Sequence, residues 1–431
     1  MANGKQTRRQ FLTRGAAAMA APYILTSAAL GKPAASDRVA IGAIGPGRRG
    51  GGLLRGAGRL GQIVAAADVH LARARKAVGG KGDRAFQDYR KMLELKDLDA
   101  VIVSTPDHWH ALASIHACQA GKHVYVEKPM TLTIREGRLM VQAARKHNCV
   151  VQCGSQQRSM AKNRLGCELV RNGRLGKIKK VIAHNYPSPW LCGLPGQPVP
   201  EGLDWDMWCG PTEVRPYHID IFTPRRKPGW ISFRTWSGGE MTGWGAHGFD
   251  QIQWALGMDD SGPVEIWTEG PKFDPPTYTK PEGRGRGDKA CSKPTVFMKY
   301  PGDIVMELGR GPHGGGTFIG EKGTIRIDRG RLSSDPPELA KEPLTDPEAK
   351  LYVSKGHMRN WLECTKTGKR PVADVEIGHR SSTVCHLGNI ARWLGRRVKW
   401  DPEKEEFVGD DEANTYLDRT RRKPYMMPET L

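Results

Sequence analysis

Gly45-Pro46-Gly47-Arg48-Arg49-Gly50 spells a G-x-G-x-x-G turn directly after the apolar run Val39–Ile44. Glycines at these spacings permit a tight turn and let backbone N–H groups approach a pyrophosphate at a helix N-terminus. Alone, the motif is weak. Asp68, however, ends a second apolar run 23 residues after Gly45, where a carboxylate would accept a hydrogen bond from a ribose 2′-hydroxyl. An acid there repels a 2′-phosphate and favours NAD over NADP, with Arg73 and Arg75 nearby as the opposing signal. Gly45, Gly47, Arg48, Arg49, Gly50 and Asp68 are the expected dinucleotide contacts.

Two further groupings could carry chemistry. Glu127-Lys128-Pro129 closes the apolar run Val124–Val126, at the kind of strand end where doubly wound folds bind ligands. Asp107-His108-Trp109-His110, with His116 and His123 further on, contains an H-x-H that can open a metal site. No second carboxylate motif completes that site, so no metal is expected.

These residues need elements to position them. Apolar runs at Val39–Ile44, Ile63–Ala67, Ala100–Val103, Val124–Val126 and Val150–Cys153 alternate with helical spacing at His110–Ala120 and Thr133–His147. The alternation predicts an α/β, doubly wound parallel sheet over residues 36–155. The rhythm then changes. Val296–Tyr300 and Ile304–Leu308 flank Pro301-Gly302-Asp303, and Thr317–Gly320 and Thr324–Ile327 flank Glu321-Lys322-Gly323, so both read as hairpins. Lys179–Asn185 and Val264–Thr268 add strands to a mostly antiparallel sheet, and helices return at His357–Thr365 and Arg380–Gly395. Residues 156–431 are thus expected to form an α+β domain.

The chain resembles the Gfo/Idh/MocA oxidoreductase family, whose marks are a Rossmann fingerprint, an E-K-P after a later strand and an open-faced C-terminal sheet. Ser104-Thr105-Pro106 and Glu127-Lys128-Pro129 carry the likeness, which covers nearly everything after residue 35. It implies that Lys128 sits beside the nicotinamide and the reacting hydroxyl, with Thr105, Pro106, His108, His110 and Glu127 around the cofactor. A cation next to oxidised nicotinamide lowers its own pKa and can orient or deprotonate an alcohol. The plainer reading of Lys128 is a surface lysine paired with Glu127.

A second family mark, a glycine pair followed by D-x-x-x-H, matches the stretch from Gly238-Gly239 to His247, and implies His247 as proton acceptor. Gly243 stands where the family has aspartate. Asp250, three residues after His247, would share a helix face with it and either orient it or serve as a structural acid. Arg158, after Gln156-Gln157, is expected to anchor substrate or to sit in an ion pair. Eight of the twelve tryptophans fall between residues 190 and 267. Sugar rings stack on flat aromatics, and Trp244 is the expected contact, with most of the others in the core.

At 431 residues, with 38% hydrophobic and 26% charged, the composition excludes a disordered chain, collagen, a coiled coil or a polytopic membrane protein. The net charge is +20, of which five positive charges and no acid lie in residues 1–35, leaving +15. No zinc-finger, helix-turn-helix or RNA-binding signature accompanies it, so a solvated basic surface is expected, without nucleic acid. Thr7-Arg8-Arg9-Gln10-Phe11-Leu12, then Gly15–Leu25 and Ser27-Ala28-Ala29, looks like a twin-arginine (Tat) export signal. Residues 1–35 are therefore expected to be removed and the protein to be periplasmic, with no stable membrane insertion.

Taken together, the expectation is an NAD-dependent oxidoreductase of a carbohydrate or cyclitol hydroxyl. The Tat route carries folded proteins and free NAD is scarce outside the cytoplasm, so NAD would be tightly held. A redox-neutral glycoside hydrolase (oxidation, elimination, hydration, reduction) would use the same site, and a non-catalytic sugar- or NAD-binding protein is a third reading. The resemblance also implies a homo-oligomer formed through the open sheet.

Overall fold

The computed structural model describes residues 38–80, 82–223, 228–280, 289–345 and 347–431, and the expected export signal lies outside them. Ala40–Ile44 (β1), Gln62–Ala67 (β2), Ala85–Phe86 (β3), Ala100–Val103 (β4), His123–Val126 (β5) and Val151–Cys153 (β6) form a parallel sheet in the order β3-β2-β1-β4-β5-β6. All four residues of β4 are buried, which is why a continuous apolar run marks it rather than alternation. Two-residue β3 is too short for any periodicity to mark it. The helix Ile134–Lys146 starts at a capping box between Thr133 and Glu136.

Register decides where the site falls. Ile44 pairs with both Ala67 and Val103, Val103 with Val126, and Val126 with Cys153. The residues that follow, Gly45, Asp68, Ser104, Glu127 and Gly154, therefore emerge along one edge, ordered as their strands are. That edge is where a doubly wound sheet opens its crevice.

The second sheet comprises Ile178–His184 (β7), Glu265–Glu269 (β8), Thr295–Tyr300 (β9), Ile304–Gly309 (β10), Gly316–Gly320 (β11), Gly323–Asp328 (β12), Arg331–Asp335 (β13), Val398–Asp401 (β14) and Glu406–Phe407 (β15). Its order is β13-β12-β11-β7-β10-β9-β8-β14-β15. Both expected hairpins form, as β9–β10 and β11–β12, while β7 runs parallel to β10. Along β9 the side chains of Val296, Met298 and Tyr300 are buried and those of Thr295, Phe297 and Lys299 partly exposed. The buried face packs with Phe249 and Ile252 of helix Gly245–Leu256 and with Val384, Leu387 and Ile390 of helix Val375–Leu394. On the other side Trp267 stacks on Phe297 at 5.3 Å, and Arg397 covers Trp267 at 3.7 Å.

Helix Val375–Leu394 begins five residues before its expected start at Arg380. Its first turns carry Glu376, His379 and Arg380, which break an amphipathic pattern. Arg138 holds Glu376 at 2.9 Å, and Glu405 holds His379 at 2.6 Å. Polar side chains paid for in this way by partners far along the chain leave no local periodicity to read.

His357 ties the helix His357–Thr367 to the end of β6, its Nε2 donating to the Cys153 carbonyl (2.9 Å) and its Nδ1 accepting from the Ser159 hydroxyl (3.0 Å). Burial pushes its pKa down to about 4. A histidine protonated near pH 6.5 when unfolded and only near 4 when folded contributes stability above pH 6.5 and loses it as pH falls toward 4. The full loss is about 3 kcal/mol. Thermal melts between pH 7.5 and 4 should show Tm falling through this window, and less steeply for His357→Gln. An equally steep fall in the variant would assign the acid sensitivity elsewhere.

Candidate active site

A cleft of ≈ 530 Å³ runs along the common edge of β2, β1, β4 and β5. Gly45 has φ +73°, and a Cβ there would lie 2.9 Å from Thr105 Cγ2. A Cβ on Gly50 would lie 2.4 Å from Ser104 Oγ and 2.7 Å from the Gly45 carbonyl oxygen. Gly47 has open space around its missing Cβ and forms the N-cap of helix Arg48–Ala57. The first glycine thus makes the turn, the second leaves room for a ligand at the helix N-terminus, and the third lets the helix close on the strands. Gly47, Arg48 and Arg49 line the cleft, whereas Gly50, expected as a cofactor contact, packs behind it.

Asp68 lines the same cleft with Oδ1 accepting from the His70 backbone N–H at 2.9 Å. Burial raises its carboxyl above the ordinary value, against that hydrogen bond and the charge of Arg73. From β2 through β1 and β4 to β5 there are three strand spacings, roughly 14 Å. The edge therefore offers a ribose acceptor, a phosphate turn and a further pocket at Lys128 in one line, and these residues fit an extended dinucleotide.

At the far end Lys128 Nζ donates to the Gly243 carbonyl at 3.0 Å, joining the end of the first sheet to the second domain. Glu127 accepts from Arg49 Nε at 2.8 Å and from Gln156 Nε2 at 3.1 Å. Thr105, Pro106 and His110 line the cleft, and the His110 ring nitrogens lie 2.7 Å from the Pro129 carbonyl and 2.9 Å from that of Thr105. Burial lowers the His110 pKa, so the neutral ring donates its one N–H to one of these two carbonyls, between the β4 loop and the Lys128–Pro129 turn. Helix Gly245–Leu256 brings in His247, 6% exposed, with the Trp244 ring 5.8 Å away; both line the cleft.

Three expected site residues are engaged elsewhere. Arg158, expected either to anchor substrate or to sit in an ion pair, does the second: it is 2% exposed, and its Nε donates to Asp250 Oδ1 at 2.9 Å and Oδ2 at 3.1 Å. Its Nη2 donates to Asp259 at 2.8 Å, and the ring of Trp254 lies 5.1 Å from the guanidinium. Burial works against the charge on Arg158, but Asp250 and Asp259 outweigh it and hold the guanidinium above its usual pKa. Asp250, read as a possible orienter of His247, is 1% exposed and accepts from Arg158 and from Ser381 Oγ (2.8 Å). One turn along a helix puts Asp250 near His247, yet tertiary packing assigns its oxygens to Arg158. His108 turns away from the cleft and bonds the Trp208 carbonyl at 2.9 Å, and burial lowers its pKa to about 3. The two histidines of the H-x-H motif therefore point to different carbonyls, and among the described residues no group of three or more potential metal ligands converges.

The roof of the cleft carries no sequence motif. Met207, Trp208, Phe222, Trp230 and Ile231 reach the cleft from the segment after β7, so three tryptophans of the 190–267 run, counting Trp244, line it. This segment is fastened at the Asp68 end: the Asp204 N–H donates to the Val69 carbonyl at 3.0 Å, and Arg73 lies 4.5 Å over the Phe222 ring. Arg329, from the turn between β12 and β13, lines the cleft as well. The aromatic density was visible in the sequence, but which rings face the cleft depends on contacts more than a hundred residues apart.

A parallel sheet with this glycine turn, together with a mixed sheet whose packed helix Gly245–Leu256 brings a histidine to the same cleft, makes a two-domain dinucleotide-binding architecture. The chain belongs to the Gfo/Idh/MocA family: the model for the oxidoreductase family's NAD-binding Rossmann fold matches residues 39–155, and that for its C-terminal alpha/beta domain matches residues 168–427. NAD is the cofactor that the family implies. Among curated proteins the chain is 35% identical over 162 residues to glycosyl hydrolase family 109 protein 2 of Shewanella sp. (strain ANA-3), covering 33% of this chain and 34% of that protein. It is 36% identical over 99 residues to 1,5-anhydro-D-fructose reductase of Ensifer adhaerens, covering 22% and 30%. The matched region thus spans about a third of the length of these relatives. The WlbA dehydrogenase of Bordetella pertussis, solved with NADH and UDP-GlcNAcA, shares the fold at 18% identity, TM-score 0.57, over 84% of this chain and 99% of that one. The scyllo-inositol dehydrogenase of Lactobacillus casei, solved with NAD(H) and scyllo-inositol, does so at 18% identity, TM-score 0.54, over the same shares.

Proposed function

We propose that the protein is an oxidoreductase of carbohydrate or cyclitol hydroxyls that retains NAD, with Lys128 and His247 in proton transfer. The observation that carries this reading is the order along one edge: Asp68, then Gly45 and Gly47, then Lys128, with His247 closing the same cleft. NAD, when bound, supplies a hydride acceptor for a carbinol carbon. Asp68 would accept from the ribose hydroxyls, and the Gly47 turn with Arg48 would hold the pyrophosphate. Lys128 would hold the reacting oxygen as its proton leaves, and His247 would take that proton. Trp230 and Trp244 offer flat faces for a sugar ring, and the roof excludes water.

The roof fastened over Asp68 supports retention of the cofactor, since dissociation would require the Arg73–Phe222 and Asp204–Val69 contacts to open. The export signal read at Arg8-Arg9 fits the same proposal, a protein that leaves the cytoplasm folded around its NAD. The likeness to the Shewanella glycosyl hydrolases favours a second reading, in which a glycoside is oxidised at a ring carbon, loses its aglycone by elimination, takes up water and is reduced again.

Denaturing the purified protein and quantifying released NAD(H) by mass spectrometry tests retention directly. Close to one NAD(H) per chain is the expected result, and an empty protein that binds added NAD only weakly would sink it. Aryl glycosides then separate the two readings, because free aglycone without net cofactor turnover appears only in the redox-neutral cycle.

A further inference from the structure

The helical path from Glu240 to Leu256 is nearly continuous, since Trp244 at the junction is itself in the right-handed region (φ −85°, ψ −34°). Glu240, Gly243, Trp244 and His247 therefore fall at i, i+3, i+4 and i+7, on one face. Of these, Glu240 was not singled out by any motif. It is 7% exposed. A Cβ placed on Gly243 would meet Glu240 Oε2 at 2.8 Å and Ile231 Cδ1 at 3.1 Å. The carboxylate of Glu240 thus occupies the volume into which a side chain at position 243 would grow. The carbonyl of the same Gly243 accepts from Lys128 Nζ at 3.0 Å.

We propose that Glu240 is a positioning residue for Lys128, supplying a carboxylate at Gly243 from one helical turn upstream. The proposal rests on the oxidoreductase reading above. A carboxylate buried beside Ile231, which itself lines the cleft, is poorly screened by water and acts strongly on a nearby ammonium. It holds Lys128 against the Gly243 carbonyl and keeps the ammonium charged, so that the amine stays aimed along the cleft toward the oxygen it must hold. It also explains why position 243 carries no side chain, because an acid there and Glu240 would compete for one space. The plain structural alternative is that Glu240 only complements the helix N-terminus, being in its first turn.

Moving the carboxylate separates the two. Glu240→Gln, Glu240→Ala, Gly243→Asp and the double variant Glu240→Ala/Gly243→Asp would be compared for kcat and KM on whichever sugar or aryl glycoside the wild type turns over. Lys128 acetylation by limiting acetic anhydride, read by peptide mass spectrometry against the exposed Lys322, would be measured on the same proteins without substrate. Misaiming Lys128 should lower kcat by about tenfold to a hundredfold in Glu240→Gln, with KM nearly unchanged. Acetylation of Lys128 should rise by about threefold to tenfold in Glu240→Ala as more of the amine becomes neutral. Both effects should reverse in the double variant, which restores a carboxylate at the same place, and a role confined to the helix end predicts no such rescue. Wild-type kcat in Glu240→Gln, or identical Lys128 acetylation in wild type, Glu240→Ala and the double variant, overturns the proposal. If the wild type turns over none of the compounds, the oxidoreductase reading fails, while the acetylation series still decides whether Glu240 governs Lys128.

Discussion

Lys128→Ala is expected to lower turnover by about two to four orders of magnitude while leaving NAD(H) per chain unchanged. That range corresponds to roughly 3–5 kcal/mol of transition-state stabilisation. The separation follows from geometry. Gly45 and Gly47 lie two strands and Asp68 three strands away from Lys128 along the sheet edge, so deleting the amine removes nothing from the groups proposed to hold the cofactor. What it removes is the cation held 3.0 Å from the Gly243 carbonyl, in the end of the cleft shared with His247. Lys128→Met would retain the packing of the aliphatic stem and should lose as much activity, which rules out a mere cavity effect. His247→Ala should lose a comparable amount, and the double variant little more than the worse single one, since two groups serving one proton transfer are not additive. A Lys128→Ala protein with unimpaired turnover and intact NAD content would leave the cleft as a binding site and remove the lysine from the chemistry.

Arg158→Ala should act in the opposite way, costing stability and not substrate recognition. Its guanidinium is 2% exposed and serves both Asp250 and Asp259, and Asp250 is itself 1% exposed. Removing one partner of a buried pair leaves the other charge without compensation, at a cost of about 3–5 kcal/mol. For a chain of this size Tm should drop by about 3–6 °C. Replacing both partners, as in Arg158→Met/Asp250→Leu, should recover much of that loss, because the desolvation cost of both charges disappears with them. KM of the folded fraction should stay within about twofold of wild type, as expected for a side chain outside the cleft. A variant with wild-type Tm and a KM raised tenfold or more would return Arg158 to the substrate.

How far the site could be read in advance differs residue by residue. The glycine turn and Asp68 were legible because a tight turn, a helix N-terminus and an acid at a strand end are set by residues within one βαβ unit. Lys128 and His247 could be named by resemblance, yet nothing local says that residues 119 positions apart share a cleft. Arg158 and Asp250 stand open between a site role and a structural ion pair, and His108 is placed near the cofactor only by resemblance, for the converse reason: their chemical types suit a site, and only packing shows each bonded to a distant partner.

The sequence by itself determined the alternation of strands and helices, the glycine turn after β1, the acid at the end of β2, and the hairpins of the second sheet. These depend on apolar spacing and turn chemistry over stretches of a few residues. The tertiary structure alone decided the parallel partner of β7, the polar start of helix Val375–Leu394, the aromatic roof fastened over Asp68, and the place of Glu240 beside Gly243. Each of those joins segments far apart in the chain, where the favourable term is burial shared by both sides and neither segment carries a mark of the other.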